Sequence, residues 1–164
     1  MAVALRVLDR AALATDPEAA ELLRGAQGVR AAALGRAEPS LASELRHRGC
    51  TLLLLLTAAG PEEQDRVVGF LLADPPGIGV HLAELAVLED CRRRGFGGRL
   101  LREGLAALER GSPRKVSFFS LRVKPGSAAR RLYLRHGFAD DHVIPDYHGP
   151  GQDAVYMLRE RDDA

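Results

Sequence analysis

Cysteine and net charge are both scarce in this 164-residue chain. Its two cysteines, Cys50 and Cys91, do not make a disulfide framework or a metal site by count or spacing, so we expect no metal. This usage fits a reducing compartment, and we expect a cytoplasmic protein. The formal net charge of +1 is not that of a basic nucleic-acid-binding surface, so we expect no nucleic-acid partner.

Long apolar runs are also missing. The longest, Leu52–Leu56, is far shorter than the roughly 20 residues that cross a bilayer, so we expect no membrane span. The chain opens without a basic segment followed by an apolar one, and we therefore expect no secretion signal. Its length suits a single domain over residues 1–164 with a substantial hydrophobic core.

The hydropathy pattern predicts an α/β layered domain with the element order β-α-α-β-β-β-α-β-α-β-β. The continuous leucines of Thr51–Thr57 favour a strand that is buried on both faces. Apolar residues at helical spacing follow from Phe96 to Leu108 and predict a long amphipathic helix.

The segment before the leucine strand predicts two helices. Asp16 and Pro17 are typical of a helix start, and Ser40 opens a second short helix. Gly25, Gly28 and Gly35 are expected to break or loosen the chain that follows the start of the first helix. Such a segment either flanks a substrate cleft or forms a plain, loosely packed helix pair, and the sequence leaves both interpretations open.

Three arginines and three glycines separate the strand that ends at Val87 from the long helix: Arg92, Arg93, Arg94, Gly95, Gly97 and Gly98. Glycine costs a helix about 1 kcal/mol relative to alanine, and cations are unfavourable at the positive end of the helix dipole. A phosphorylated ligand held by free backbone N–H groups accounts for both features. A solvated, arginine-rich turn is the alternative, but it leaves the glycines unexplained.

Two other phosphate-binding motifs are absent from this stretch. A Walker loop needs Gly-Lys-Ser/Thr, where Arg99 and Leu100 stand, and the G-x-G-x-x-G fingerprint also fails at Leu100. The pattern Arg92-x-x-Gly95-x-Gly97 instead resembles the acyl-CoA pyrophosphate loop of the GNAT acetyltransferase superfamily. Residues 129–138 are similar to the second signature of that family, A-x-x-L-Y-x-x-x-G-F.

This resemblance implies the GNAT fold, a central mixed, mostly antiparallel sheet of about seven strands with four helices. It also implies acetyl-CoA as cofactor. The strand end would face pantetheine and the thioester carbonyl, and the loop amides would hold the pyrophosphate. Ser127 stands near the place where relatives carry an asparagine, and we expect it to cap a helix. The implied cofactor-binding residues are Leu85, Ala86, Val87, Arg92, Arg93, Arg94, Gly95, Phe96, Gly97, Gly98 and Ser127.

Three residues are candidates for the chemistry. Tyr133 matches the tyrosine that gives a proton to the departing thiolate in the family, although a core aromatic would look the same. His81 stands where relatives carry a base, and a pKa of about 6.5 suits that role. It is otherwise a solvent-exposed histidine at a strand edge. Glu84 is the second candidate base, expected on the opposite face of the strand from His81, and otherwise a solvated or salt-bridged residue.

Two further residues are candidates for substrate binding. Arg122 replaces a base that related α-amine acetyltransferases often carry, and an arginine cannot accept a proton. It would attract an acidic group of the substrate or simply line the sheet edge. Tyr147 belongs to a tail, ending in Gln152–Met157, that resembles N-terminal protein acetyltransferases. By that resemblance it lies over the substrate cleft; otherwise it is an exposed turn aromatic.

The resemblance therefore predicts an acetyl-CoA-dependent N-acetyltransferase acting on the α-amine of a protein or peptide N-terminus. An α-amine of pKa about 7.8 is roughly 14% neutral at pH 7, against on the order of 0.04% for lysine, which favours an α-amine when no strong base is present. A GNAT for a small-molecule amine or a lysine stays open, as does an acyl-CoA-binding regulatory domain without turnover. The sequence allows a monomer or a homodimer.

Overall fold

The structure is a computed structural model that describes residues 2–58 and 65–161. Its strands are β1 (Val3–Leu8), β2 (Thr51–Thr57), β3 (Arg66–Ala73), β4 (Gly79–Val87), β5 (Phe118–Val123), β6 (Ala139–Ile144) and β7 (Ala154–Glu160). Its α-helices are α1 (Ala12–Thr15), α2 (Ala19–Leu34), α3 (Leu41–Ser43), α4 (Phe96–Gly111) and α5 (Ala128–Arg135). A π-helical turn, Glu44–Arg48, extends α3, and a 3₁₀ turn, Glu89–Cys91, precedes α4.

The described strands form one seven-stranded sheet in the order β1-β2-β3-β4-β5-β7-β6. Neighbouring strands are antiparallel except β4 and β5, which run parallel. The predicted mixed, mostly antiparallel sheet is therefore confirmed. No helix in residues 2–58 or 65–161 combines the length and the apolar character that crossing a membrane requires.

The leucines of β2 explain why the sheet is covered on both faces. Successive side chains of a strand point to opposite faces. Leu53 and Leu55 therefore join a core that also contains the apolar side of α4, whereas Leu52 and Leu54 join a second core beneath α2 and α3. The continuous leucine run is thus the pattern of a strand buried on both sides, as predicted.

The helices differ from the sequence prediction in two respects. The prediction that glycines break or loosen the first helix is wrong for Gly25 and Gly28, because α2 runs through both. It is confirmed for Gly35, which has φ +63° and ends α2. Packing of this helix over the sheet outweighs the helix cost of two glycines. The structure has five α-helices in its described part where four were predicted, since a short helix, α1, precedes Asp16. The predicted cap at Ser40 is present: its side chain accepts a hydrogen bond from the Ser43 N–H at 3.2 Å.

Two irregularities of β4 position the functional residues. Pairing with β5 covers only Gly79–Leu82, so the strands separate beyond Leu82 and leave that edge of Ala83–Val87 without a β5 partner. The register with β3 also shifts between Glu84 and Leu82, which places a bulge at Ala83. The bulge changes the alternation of side chains, with direct consequences for His81 and Glu84.

Candidate active site

The start of α4 forms a cradle of backbone amides. Gly95 is the N-cap residue with φ +77°, a conformation that favours glycine, and Arg93 also has a positive φ of +61°. No side chain in the described part of the chain caps the helix here. The first N–H groups of a helix have no intrahelical acceptor, and left-handed residues turn neighbouring amides toward one concavity. This geometry suits an anionic group.

Gly97 and Gly98 have a packing role in addition. A Cβ at Gly97 would lie 3.3 Å from Leu132 Cδ2, and one at Gly98 would lie 3.2 Å from His136 Nε2. These two glycines let α5 approach the first turn of α4 closely. Packing therefore accounts for these two glycines, and Gly95, the uncapped helix start and the adjacent arginines are the features that suit an anion.

Most of the predicted cofactor-binding residues lie on β4, in the loop after it and at the start of α4. Leu85, Ala86 and Val87 lie on the part of β4 whose edge has separated from β5. The Arg92 Nε donates to the Val87 carbonyl at 3.1 Å and ties the loop to the strand end. Arg93 and Arg94 are exposed, and Phe96 is buried in the core. The strand end thus leads directly into the amide cradle.

A cleft of about 330 Å³ opens beside the point at which β4 and β5 separate. Its lining is strongly polar and brings together four of the predicted site residues, His81, Glu84, Arg122 and Tyr147. The remaining lining residues are Arg36, Glu44, Arg48, Leu72, Asp74, Ala83 and His148. The prediction that His81 and Glu84 point to opposite faces is wrong, because the bulge at Ala83 brings both side chains to this cleft.

His81 is held in one orientation by two polar neighbours. Its Nδ1 lies 2.9 Å from Ser120 Oγ, and its Nε2 lies 3.2 Å from Arg122 Nη1. A guanidinium group only donates hydrogen bonds, so Nε2 is the acceptor and the neutral ring carries its proton on Nδ1, which donates to Ser120. The nitrogen that carries the lone pair is therefore Nε2, which accepts a hydrogen bond from Arg122.

The surroundings of His81 lower its pKa below the ordinary value of 6.5. Burial is the largest cause, and the positive charge of Arg122 adds to it, while Asp74 acts weakly in the opposite direction. The lowered pKa favours the neutral imidazole at physiological pH.

Glu84 is anchored by two arginines. Its Oε1 accepts from Arg30 Nη2 at 2.7 Å and from Arg36 Nη1 at 2.5 Å. The Arg30 side chain is completely buried and also donates to the Pro39 carbonyl. Glu84 Oε2 is buried without a hydrogen-bond partner in the described part of the chain. This confirms the salt-bridged interpretation of Glu84.

Arg122 and Tyr147 contact each other across the cleft. The Arg122 Nη1 lies 3.4 Å from the Tyr147 hydroxyl, and its Cζ lies 5.4 Å from the centre of the ring. Tyr147 is about half exposed, in the loop between β6 and β7. The loop is fixed by Asp146, whose amide donates to Asp153 Oδ1 at 2.9 Å and whose Oδ1 accepts from Gly151 N at 2.6 Å.

The other two predicted residues lie outside this cleft. Tyr133 is buried in the core on α5, edge-to-face with Phe138 at 5.7 Å between ring centres, and burial raises its pKa to about 12. Ser127 caps α5 as predicted: its Oγ accepts from Arg130 N at 3.2 Å and donates to the Lys124 carbonyl at 2.8 Å. One lone pair of that hydroxyl is left for a cofactor contact.

Sequence reasoning missed the residues that orient the site. Ser120 on β5 lies opposite His81 on β4, and only the register of the two strands shows this. Arg30 left a detectable signal, because a charged residue among Ala26, Val29 and Ala33 on the apolar side of a helix needs a partner. No group of three or more His, Cys, Asp or Glu residues in the described ranges is arranged to hold a metal ion.

Comparison with known proteins decides the family. The model of the acetyltransferase (GNAT) domain matches residues 59–140, half of the chain. The chain belongs to the GNAT acetyltransferase family. The match covers β4, the amide cradle, α4, β5 and α5, which carry most of the predicted site residues.

Two relatives are similar in sequence to segments of this GNAT chain. An uncharacterized N-acetyltransferase of Methanocaldococcus jannaschii is 32% identical over 106 residues, which cover 63% of this chain and 65% of that protein. An N-alpha-acetyltransferase of Sulfurisphaera tokodaii is 34% identical over 77 residues, 47% of this chain and 46% of that protein. The matched segments thus span less than two thirds of either relative.

A solved structure has the same fold over almost the whole length. The ribosomal-protein-S18-alanine N-acetyltransferase of Escherichia coli superposes with a TM-score of 0.75 and 23% identity, covering 99% of this chain and 96% of that one.

Proposed function

We propose that this chain transfers an acetyl group from acetyl-CoA to the α-amine of a protein or peptide N-terminus. The observation that carries the proposal is the course of β4. This strand presents His81 and Glu84 to a polar cleft and has a free edge where β5 departs. The loop after it leads to the amide cradle at the start of α4. A donor thioester and an acceptor amine would meet at that edge.

The described residues fit the cofactor. The cradle has a left-handed Gly95, an uncapped helix start and exposed Arg93 and Arg94, which together suit a pyrophosphate. The free edge of Leu85–Val87 offers backbone groups to an extended pantetheine arm. When bound, acetyl-CoA supplies the acetyl group as an activated thioester.

His81 acts as the base in this proposal. Its Nε2 accepts the proton that the acceptor amine loses as its nitrogen bonds to the acetyl carbon. Ser120 holds the ring in the required tautomer, and the lowered pKa keeps it neutral. Glu84 lines the same cleft and is the second candidate base.

Tyr133 acts as the acid. In this role its phenol would protonate the sulfur that leaves with coenzyme A when the acetyl group is transferred. Because burial raises its pKa to about 12, the hydroxyl keeps its proton throughout the working range of pH. The core position against Phe138 fixes the direction of the ring.

Two considerations support an α-amine acceptor. A neutral imidazole is a weak base, and deprotonating lysine costs about 3.5 kcal/mol more than deprotonating an α-amine. The similarity to the N-alpha-acetyltransferase of Sulfurisphaera tokodaii also favours this acceptor.

A thiol-release assay with acetyl-CoA and matched peptides tests the proposal. One peptide has a free N-terminus and no lysine, and its control has a blocked N-terminus and one lysine. We expect the free N-terminus to react at least roughly a hundred times faster, with mass spectrometry locating the acetyl group on the α-nitrogen. Turnover of lysine or of small amines alone would contradict the proposal, as would saturable coenzyme A binding without turnover of any acceptor.

The role of Tyr133 has its own test. We expect Tyr133→Phe to lower kcat by about 10²-fold or more, because the variant keeps the core packing and loses the proton donor. Coenzyme A affinity, measured by calorimetry, should change by less than about twofold. Tyr156→Phe is the matched control: Tyr156 lies on β7 with its ring stacked between His142 and His81, the substitution keeps that ring, and kcat should be unchanged. An unchanged rate in Tyr133→Phe would remove this residue from the chemistry.

A further inference from the structure

The arginines that line the cleft differ in their partners. Arg36 is bound to Glu84 at 2.5 Å, and Arg48 is bound to Glu44 at 2.9 Å and to Asp74 at 3.3 Å. Arg122 has no carboxylate partner in the part of the chain that the structure describes. Its charge is therefore the one in this lining that no described acidic group neutralises.

The contacts that Arg122 does make are to neutral groups. Its Nη1 lies 3.2 Å from His81 Nε2 and 3.4 Å from the Tyr147 hydroxyl, and its guanidinium group lies over the Tyr147 ring. A carboxylate binds guanidinium more strongly than these acceptors do, through two parallel charge-assisted hydrogen bonds. Arg122 is exposed to the cleft, so such a group can reach it.

The contact with His81 occupies the atom that the chemistry needs. A neutral imidazole has one lone pair, here on Nε2, and Arg122 donates to it. While this hydrogen bond lasts, Nε2 cannot accept a proton from an amine. An acceptor that draws Arg122 away therefore also frees the base.

Building on the proposed N-terminal acetyl transfer, we propose that Arg122 recognises a carboxylate of the acceptor and thereby releases His81 Nε2 to take the proton of the amine. The preferred substrates are N-termini with an acidic side chain in the first or second residue. Arg122 lies within hydrogen-bond distance of the base nitrogen, so the carboxylate that it binds lies close to the reacting amine. Arg122 itself gives up no proton and takes none.

Steady-state kinetics with paired peptides test this specificity. The pairs differ only by Glu or Gln at the first or at the second position. We expect kcat/KM to be at least about tenfold higher for the better-placed Glu peptide than for its Gln partner. We expect kcat to rise and KM to fall for the Glu peptide, because its carboxylate both uncovers the base and improves binding.

Variants of two cleft arginines separate charge recognition from general damage. In Arg122→Gln, the Glu/Gln ratio should fall to within about twofold of unity. In Arg48→Gln, whose arginine already has two carboxylate partners, the ratio should be preserved. The ratio compares two substrates on one variant, so a change in the basicity of His81 largely cancels.

The outcomes distinguish this inference from the function on which it rests. Equal rates for Glu and Gln peptides would overturn the inference while N-terminal acetylation stands. A ratio carried by KM alone would overturn the release of His81. Turnover of free glutamate but of no peptide would support carboxylate recognition by Arg122 and overturn the peptide acceptor.

Discussion

At the residue scale, His81 carries a clear pH signature. Its pKa lies below 6.5 because the ring is buried and faces the charge of Arg122. If its neutral form is the base, kcat at saturating peptide falls as the pH drops through that lowered value, and the acid limb of kcat has its midpoint below 6.5. We expect this limb to disappear in His81→Ala, measured by initial rates between pH 5 and 8 (about the range in which an imidazole titrates).

Two neighbours supply the controls for this pH profile. Arg122→Gln should move the midpoint upward, since it removes a positive charge that disfavours the protonated ring. Asp74→Asn should move it downward, since that carboxylate favours the protonated ring. An unchanged limb in His81→Ala would transfer the role of base to another group, with Glu84 as the first candidate.

At the element scale, two glycines one turn apart in α2 should respond oppositely to alanine. A Cβ at Gly25 would lie 2.8 Å from Val67 Cγ2 on the underlying strand, whereas a Cβ at Gly28 meets nothing within 4 Å. We expect Gly25→Ala to destabilise the fold by about 1–3 kcal/mol through overpacking. Gly28→Ala should stabilise it by about 0.5–1 kcal/mol through helix propensity.

Urea unfolding measures the free energy of unfolding of both α2 variants, provided that its dependence on urea concentration is unchanged. Equal shifts in the same direction would show that propensity alone governs this helix. Opposite shifts would show that Gly25 is present for close packing of α2 on β3, and that Gly28 is a position at which the helix can be improved.

At the scale of the whole molecule, Arg30 joins the α2 layer to the sheet. It is completely buried and links Glu84 of β4 to the Pro39 carbonyl before α3. We expect Arg30→Met to lower the free energy of unfolding by on the order of 3 kcal/mol, because a buried carboxylate then loses a partner. Arg36→Met should cost less than about 1 kcal/mol, since half of that side chain is exposed.

A double variant tests the link directly. Adding Glu84→Gln to Arg30→Met removes both buried charges and should recover part of the lost stability, as judged by the urea midpoint. Equal losses for Arg30→Met and Arg36→Met, or no recovery in the double variant, would show that Arg30 contributes packing rather than charge pairing.

Local patterns in the sequence determined most of the elements. The leucine run predicted β2 to the residue, and the cap at Ser127 was predicted because capping depends on the few residues around it. The start of α4 at the end of the arginine–glycine loop was also predicted to within one residue. Hydrophobic periodicity and capping depend on residues that are close together in the chain, so they can be predicted from a single sequence.

The tertiary structure decided what the sequence left open or misjudged. The bulge at Ala83 placed His81 and Glu84 in one cleft, against the prediction from simple alternation. The register of β4 and β5 brought Ser120 to His81, and the fold brought Arg30 to Glu84 across 54 positions of sequence. Strand registers and buried ion pairs depend on partners far away in the chain, and so on packing that local propensity does not specify.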